Sequence, residues 1–206
     1  WKRYYEKPKK SHTEIKFKNP NLFLKNLLEF DNSSKFKGKV LVNFLNEGFE
    51  IDYSFNEKKI KIETPDLNQK IRISSNINLD PFYFDSKIYI SQQNLKFLID
   101  EFFYVLINYN PELLGNLNGN LSINLDSIDN EFVDRGNINI SVNEKSIDVK
   151  DIFFKIDGGH IASKILYLEN EGELIFMSKN SLEIKNKKKF AKKLQIKVDK
   201  IKDIRK

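Results

Sequence analysis

The sequence predicts a mainly β fold, an antiparallel meander interrupted by one helix, and three observations carry that prediction. Short runs of β-branched and aromatic residues alternate apolar with polar, most clearly in Phe49-Glu-Ile51-Asp-Tyr53-Ser-Phe55. A period of two is the signature of a half-buried strand. Turns of two to four residues, rich in Asn, Asp and Gly, recur between the runs at the spacing of hairpins. Only one long segment has a strong helical period: from Asn94 to Asn108, Leu95, Leu98, Ile99, Phe102, Phe103 and Leu106 fall on one broad face.

Taken in order, the elements begin with Ile15-Lys-Phe17 and Leu22-Phe-Leu24, which flank Asn19-Pro20. The stretch Leu22–Phe30 has a second reading as a short helix, with Leu24, Leu27 and Leu28 on one side. Val40–Phe44, Phe49–Phe55, Ile60–Ile62, Ile71–Ile73, Ile77–Leu79, Phe82–Phe84 and Ile88–Ile90 follow as strands. Asn94 then caps the helix, and Asn110-Pro111 ends it because proline lacks an N–H and restricts the residue before it. A further short turn carries the insertion to about residue 114. The ladder resumes with Leu117–Leu125, Gly136–Val142, Ile147–Val149, Phe153–Ile156, Ile161–Leu168, Glu173–Met177 and Leu182–Ile184. Long crossovers are missing, so a parallel α/β sheet is not expected. The segment Lys185–Lys206 reads as a short helix over Lys187–Leu194 followed by an extended piece.

The division expected is therefore a basic and aromatic segment over 1–10, a single β-rich domain over 11–184 with the helix inserted at 94–114, and a basic tail over 185–206. Charge follows this division. The net +6 of the 206 residues splits into +4 over 1–10, −7 over 11–184 and +9 over 185–206. A nucleic-acid-binding sheet carries its positive charge on the body, so no nucleic-acid partner is expected. Around Trp1 the aromatics and bases suit a membrane surface, and so do Lys187, Lys188, Lys189, Lys192 and Lys193 around Phe190 and Leu194. For both ends the alternative is a plain solvated terminus. The longest apolar run, Phe102–Ile107, is far below the roughly 20 residues of a bilayer-spanning helix. The absence of cysteine excludes disulfides and thiolate metal sites.

Catalytic chemistry has little to stand on. His12 and His160 are far apart in sequence, and no phosphate-binding loop, nucleophile elbow or paired histidine motif occurs. Asp126, Asp129, Glu131 and Asp134 crowd one connection, but they lack the spacing and glycine of a calcium loop and read as solvated. Neither catalytic residues, nor a metal, nor a cofactor is expected, and the chain is read as not an enzyme. The alternating strands are more informative. An antiparallel sheet with one apolar face has to cover it with a second sheet, a helix or a ligand. Period alone leaves two outcomes open, a closed sandwich or a concave face that holds something greasy.

Residues 115–180 add a resemblance. Gly115-Asn-Leu117-Asn-Gly119-Asn-Leu121-Ser-Ile123, the glycine-led strand Gly136-Asn-Ile138-Asn-Ile140, Phe154-Lys-Ile156-Asp-Gly158-Gly159-His-Ile161 and Asn170-Glu-Gly172-Glu-Leu174 resemble the C-terminal region of the AsmA-like family. That group of bacterial envelope proteins includes AsmA and TamB. The close match covers about a third of the chain, and residues 11–92 fit it only as a generic meander. The resemblance implies a long curved sheet with an apolar groove. It further implies a periplasmic body, an inner-membrane anchor outside this stretch, and phospholipid or another acyl lipid as partner, with other envelope proteins as further candidates. The implied role is phospholipid transport in outer-membrane biogenesis. The residues expected to line the groove are Ile51, Tyr53, Phe55, Ile60, Ile62, Ile71, Ile73, Ile77, Leu79, Ile88, Ile90, Leu121, Ile123, Ile138 and Ile140. The alternative is a structural or partner-binding β-sandwich of an envelope or surface protein.

Overall fold

A computed structural model describes residues 10–17, 22–30, 35–44, 47–92, 117–128, 130–144, 146–170, 173–195 and 197. The predicted helix at 94–108, Trp1 with the rest of the first nine residues, and nearly all of the tail beyond 195 lie outside them.

Among the described residues twelve strands make up one sheet. They are β1 (Lys10–Phe17), β2 (Leu22–Phe30), β3 (Lys35–Phe44), β4 (Glu47–Asn56), β5 (Lys59–Glu63), β6 (Ile71–Leu79), β7 (Phe82–Ser91), β8 (Gly119–Asp126), β9 (Val133–Asn143), β10 (Ser146–Ile156), β11 (Gly159–Asn170) and β12 (Glu173–Ile184). Their spatial order is their sequence order, and the sheet is open and curved, with β1 and β12 as its edges among the described residues. The β-rich meander is thus what the alternating pattern predicts, and the Leu22–Phe30 ambiguity resolves as a strand.

Four pairs of short runs fuse into four long strands. Ile71–Ile73 joins Ile77–Leu79, Phe82–Phe84 joins Ile88–Ile90, Ile147–Val149 joins Phe153–Ile156, and Glu173–Met177 joins Leu182–Ile184. Polar residues interrupt the apolar pattern in these strands without ending the pairing. Ser75, for example, sits on the apolar side, where its hydroxyl lies 2.6 Å from that of Ser86, its directly opposite neighbour. The pair gives the buried Ser75 hydroxyl a partner away from bulk water. In β10 the apolar period slips by one residue, and a bulge between Val149 and Ile152 absorbs the slip. The extra residue is Lys150, and Val149 and Ile152 remain on one side.

One junction differs from the expected meander. β7 and β8 pair in parallel, from Phe84 opposite Gly119 to Ser91 opposite Asp126. A parallel pair needs a connection of about a dozen residues or more. Residues 92–118, where the helix is predicted, supply that length. All other neighbouring pairs are antiparallel.

The helix expected near Lys187 is present as α1, Lys187–Lys193. Asn186 caps it by accepting a hydrogen bond from the Lys189 N–H at 3.0 Å, and Lys192 and Lys193 occupy the last turn, where the helix dipole favours cations. Replacing Asn186 by Ala is expected to cost about 1 kcal/mol, measured by urea denaturation.

Candidate functional site

The pairing register decides which side chains share a face, because directly opposite residues project to the same side of a sheet. Tyr53 and Phe55 lie opposite Ile62 and Ile60, and Ile60 lies opposite Ile77. Ile71, Ile73 and Ile77 lie opposite Ile90, Ile88 and Phe84. Ile88 then pairs with Ile123, while Ile123 and Leu121 pair with Ile138 and Ile140. Ile51 and Leu79 join by alternation along β4 and β6. All fifteen residues proposed from the sequence therefore lie on one face of one sheet.

They lie at different depths on it. Ile71, Ile90, Ile138 and Ile140 are buried, Leu79 is exposed near the end of β6, and the remaining ten are half-buried. The same face runs further than the sequence list did. Ile138 and Ile140 lie opposite Ile152 and Val149, and Val149 lies opposite Ile165. Towards β3, Ile51 and Phe49 lie opposite Val40 and Val42. Val149, only 1% exposed, is the most completely buried large side chain on the face. The strands holding these residues were legible as strands. In β3 and β11, where apolar residues fall on both parities, the side that meets the apolar face was not, since it follows from register across neighbours, and in β10 it follows from the bulge.

Three glycines shape this face. The ring of Tyr53 lies across Gly38, that of Phe84 across Gly119 and that of Phe154 across Gly136, each from the directly opposite position. A Cβ on any of the three would enter the ring. Glycine in a strand lets a neighbouring ring lie flat over the backbone, covering the gap and permitting a sharper bend. Beside the first of these, Phe36 stacks on Phe55 at 5.7 Å.

One end of the face is closed by α1. Phe190 packs against the cluster formed by Val42, Phe49, Ile71, Ile90, Leu125, Ile128, Val133 and Ile156, and Ala191 is 1% exposed. The Gly158 carbonyl accepts hydrogen bonds from the N–H groups of Lys185 (2.7 Å) and Asn186 (2.8 Å). Gly158 has φ +84°, and a side chain there would also meet the Asn186 carbonyl at 2.6 Å. Phe190 is thus turned into the protein, so the apolar edge expected beside the basic residues is reduced to Leu194. Lys188, Lys189 and Lys192 are exposed, whereas Lys187 and Lys193 are half-buried, Lys193 lying 3.9 Å from Asp157.

The opposite face is polar. Glu50, Asp52, Lys61, Asn76, Asp85, Asn120, Ser122 and Asn139 occupy it by the same register. Asn120 donates to the Tyr83 hydroxyl at 2.6 Å and accepts from Ser141, and Ser122 donates to Asn139. Lys39 bridges Glu50 at 2.6 Å and stands 3.6 Å from Asp52. The hydrogen bond to Glu50, then the nearby charge of Asp52, raises the Lys39 ammonium above the usual lysine range. His160 lies 3.3 Å from Glu183 and against the ring of Phe153. Asp134, from the acidic connection, is paired with Lys155 at 3.3 Å, and Asp129 lies outside the described residues. Among the described residues no three metal-ligating side chains converge, and no helix is long and apolar enough to cross a membrane.

No family model, curated protein or solved structure matches this chain.

Proposed function

We propose that this chain is a lipid-handling domain of the AsmA-like kind, holding acyl chains along the apolar face of its sheet. The observation that carries the proposal is the segregation of faces: from β4 to β9 the fifteen residues from Ile51 to Ile140 share one side, while the other carries mainly Asn, Ser and charged residues, with Tyr83 and Tyr89 among them. Ten of the fifteen are only half-buried, so part of this one-sided apolar face stays open to an occupant. Acyl chains suit it because they need no hydrogen bonds, and the face offers few polar partners beyond Ser75 and Ser86, which already satisfy each other. The role is binding and transfer of phospholipid rather than catalysis. By resemblance, the setting is the periplasm beside an inner-membrane anchor, in outer-membrane biogenesis.

Mass spectrometry of lipids co-purifying with the chain tests this. Phospholipid is expected at near-stoichiometric amounts, reduced at least tenfold by Ile62→Asp with Ile88→Asp and unchanged by Asn76→Asp with Lys87→Asp. The exposed lysines of α1 add a second expectation. Basic residues near an anionic surface contribute about 1 kcal/mol each. Flotation with phosphatidylglycerol vesicles should therefore weaken at high salt and on neutralising Lys188, Lys189 and Lys192.

A second reading, partner binding, is favoured by the β12 edge. Phe176 is 52% exposed, Met177 50% and Leu182 47%, on a strand of twelve residues with one side unpaired among the described residues. Such an edge is a template for strand addition. Recovery of a protein partner lost on Met177→Pro, with no lipid bound, would favour this reading.

A further inference from the structure

We infer that the polar face carries a binding cleft for an acidic saccharide, independent of the apolar face behind it. The cleft has a volume of about 780 Å3 and runs across β6 to β10 beneath the loop that joins β5 to β6. Its floor is one cross-strand row: Arg72 opposite Tyr89, Tyr89 opposite Asn124, Asn124 opposite Asn137, and Asn137 opposite Phe153. Five strands at roughly 4.8 Å spacing make a floor about 19 Å long, the length of a short oligosaccharide rather than of a single ion.

Charge decides the class of ligand. Arg72, Arg135, Lys70 and Lys155 outnumber the one carboxylate in the lining, Asp126, and neither arginine is paired with an acid among the described residues. The body of the chain is acidic, −7 over residues 11–184, so two unpaired guanidinium groups within one cleft stand out from their surroundings. Lys70 and Lys155 add positive charge at its margin, although each is engaged, by Glu47 at 2.6 Å and by Asp134 at 3.3 Å. A guanidinium presents a planar fork of donors that matches a carboxylate or phosphate. Arg72 lies over the Tyr89 ring, 5.0 Å from its centroid, which fixes the position of its guanidinium in the cleft.

Hydrogen-bonding capacity decides the rest. The side-chain amides of Asn124 and Asn137 are half-buried on the floor and have no partner among the described residues. In the cleft wall the Gln69 Oε1 is buried without a donor. Adjacent amides that offer donors and acceptors together suit vicinal hydroxyls, which also offer both. Nucleotide bases fit less well. One face of Tyr89 is taken by Arg72 and Phe153 lies against His160, so stacking surface is already in use. The acidic body also repels a long polyanion, whereas an acidic tetrasaccharide contacts the cleft alone.

Calorimetric titration of the full chain with tetragalacturonate tests the inference, with cellotetraose, inorganic phosphate and an eight-nucleotide oligothymidylate as comparators. Tetragalacturonate is expected to bind at least tenfold more tightly than any comparator. Arg72→Gln and Arg135→Gln are each expected to weaken it about tenfold, as loss of a charge-assisted contact does. Arg72→Lys, which keeps the charge but loses the fork, should fall between. Lys37→Gln with Lys61→Gln, on the same face but outside the cleft, should change nothing, and unchanged melting temperatures should show that every variant is folded. The inference is overturned if tetragalacturonate does not bind at millimolar concentration, or if the arginine variants bind it like the parent. Equal binding of phosphate or the oligonucleotide also overturns it, because the cleft would then be a general anion surface.

Discussion

Val149→Asp is expected to leave the chain largely unfolded at room temperature. The side chain is 1% exposed and packs in the cluster of Ile138, Ile140, Val142, Ile147, Ile152 and Ile165. A carboxylate placed there has no cation to pair with and loses its hydration, which costs several kcal/mol even after relaxation. Total stabilities of about 5–15 kcal/mol leave little after such a loss. The matched change on the other face, Lys87→Ala, removes an exposed side chain and should shift stability by no more than about 0.5 kcal/mol. Urea denaturation followed by far-ultraviolet circular dichroism separates the two. Comparable losses would mean that the two faces are assigned to the wrong sides.

Gly159→Ala should produce the next largest loss, about 3 kcal/mol, through the backbone rather than the core. Gly159 sits directly opposite Ile184, and an added Cβ runs into the Glu183 carbonyl oxygen, which belongs to the paired strand and has no flexible end to swing away. Relief requires β11 and β12 to part at the point where the Gly158 carbonyl holds the start of α1. The damage should therefore spread to the docking of Phe190. Gly48→Ala is the control: nothing stands within 4 Å of its Cβ position. There the lower flexibility of alanine in the unfolded chain should leave stability unchanged or raised by about 0.5 kcal/mol. Equal losses at both glycines, read from denaturation midpoints, would contradict the close-approach account.

These contrasts mark how much could be read from residue order. Strict alternation, as in Phe49–Phe55, specifies both a strand and the parity of its apolar side, and the register confirms that Ile51, Tyr53 and Phe55 share a face. Strand length was harder to read. A serine at an apolar-side position looks like a break in sequence, yet Ser75 is buried because Ser86 stands opposite it, a partner visible only once β6 and β7 are paired. β10 was split for a related reason: Lys150 is a bulge residue, and the period resumes one step out of phase beyond it. The parallel junction of β7 with β8 was missed because short hairpin turns on either side suggested more of the same. Residues 92–118 were long enough for a crossover but were read as an insertion within a meander. The polar cleft had no sequence signal at all. Arg72, Asn124 and Arg135 are separated by whole strands and meet only through register.

The claim that lipid occupies the apolar face is tested most directly by a label scan along β7. The chain has no cysteine, so single substitutions at positions 85 to 90 each carry one unambiguous bimane label. Phospholipid bearing a nitroxide on its acyl chain quenches the label only at close range. Ser86, Ile88 and Ile90 belong to the apolar face, and Asp85, Lys87 and Tyr89 to the polar one. The account predicts quenching that alternates with a period of two, strong at 86, 88 and 90 and absent at 85, 87 and 89. Quenching that is uniform along β7, or absent throughout while the labelled chains remain folded, would contradict it.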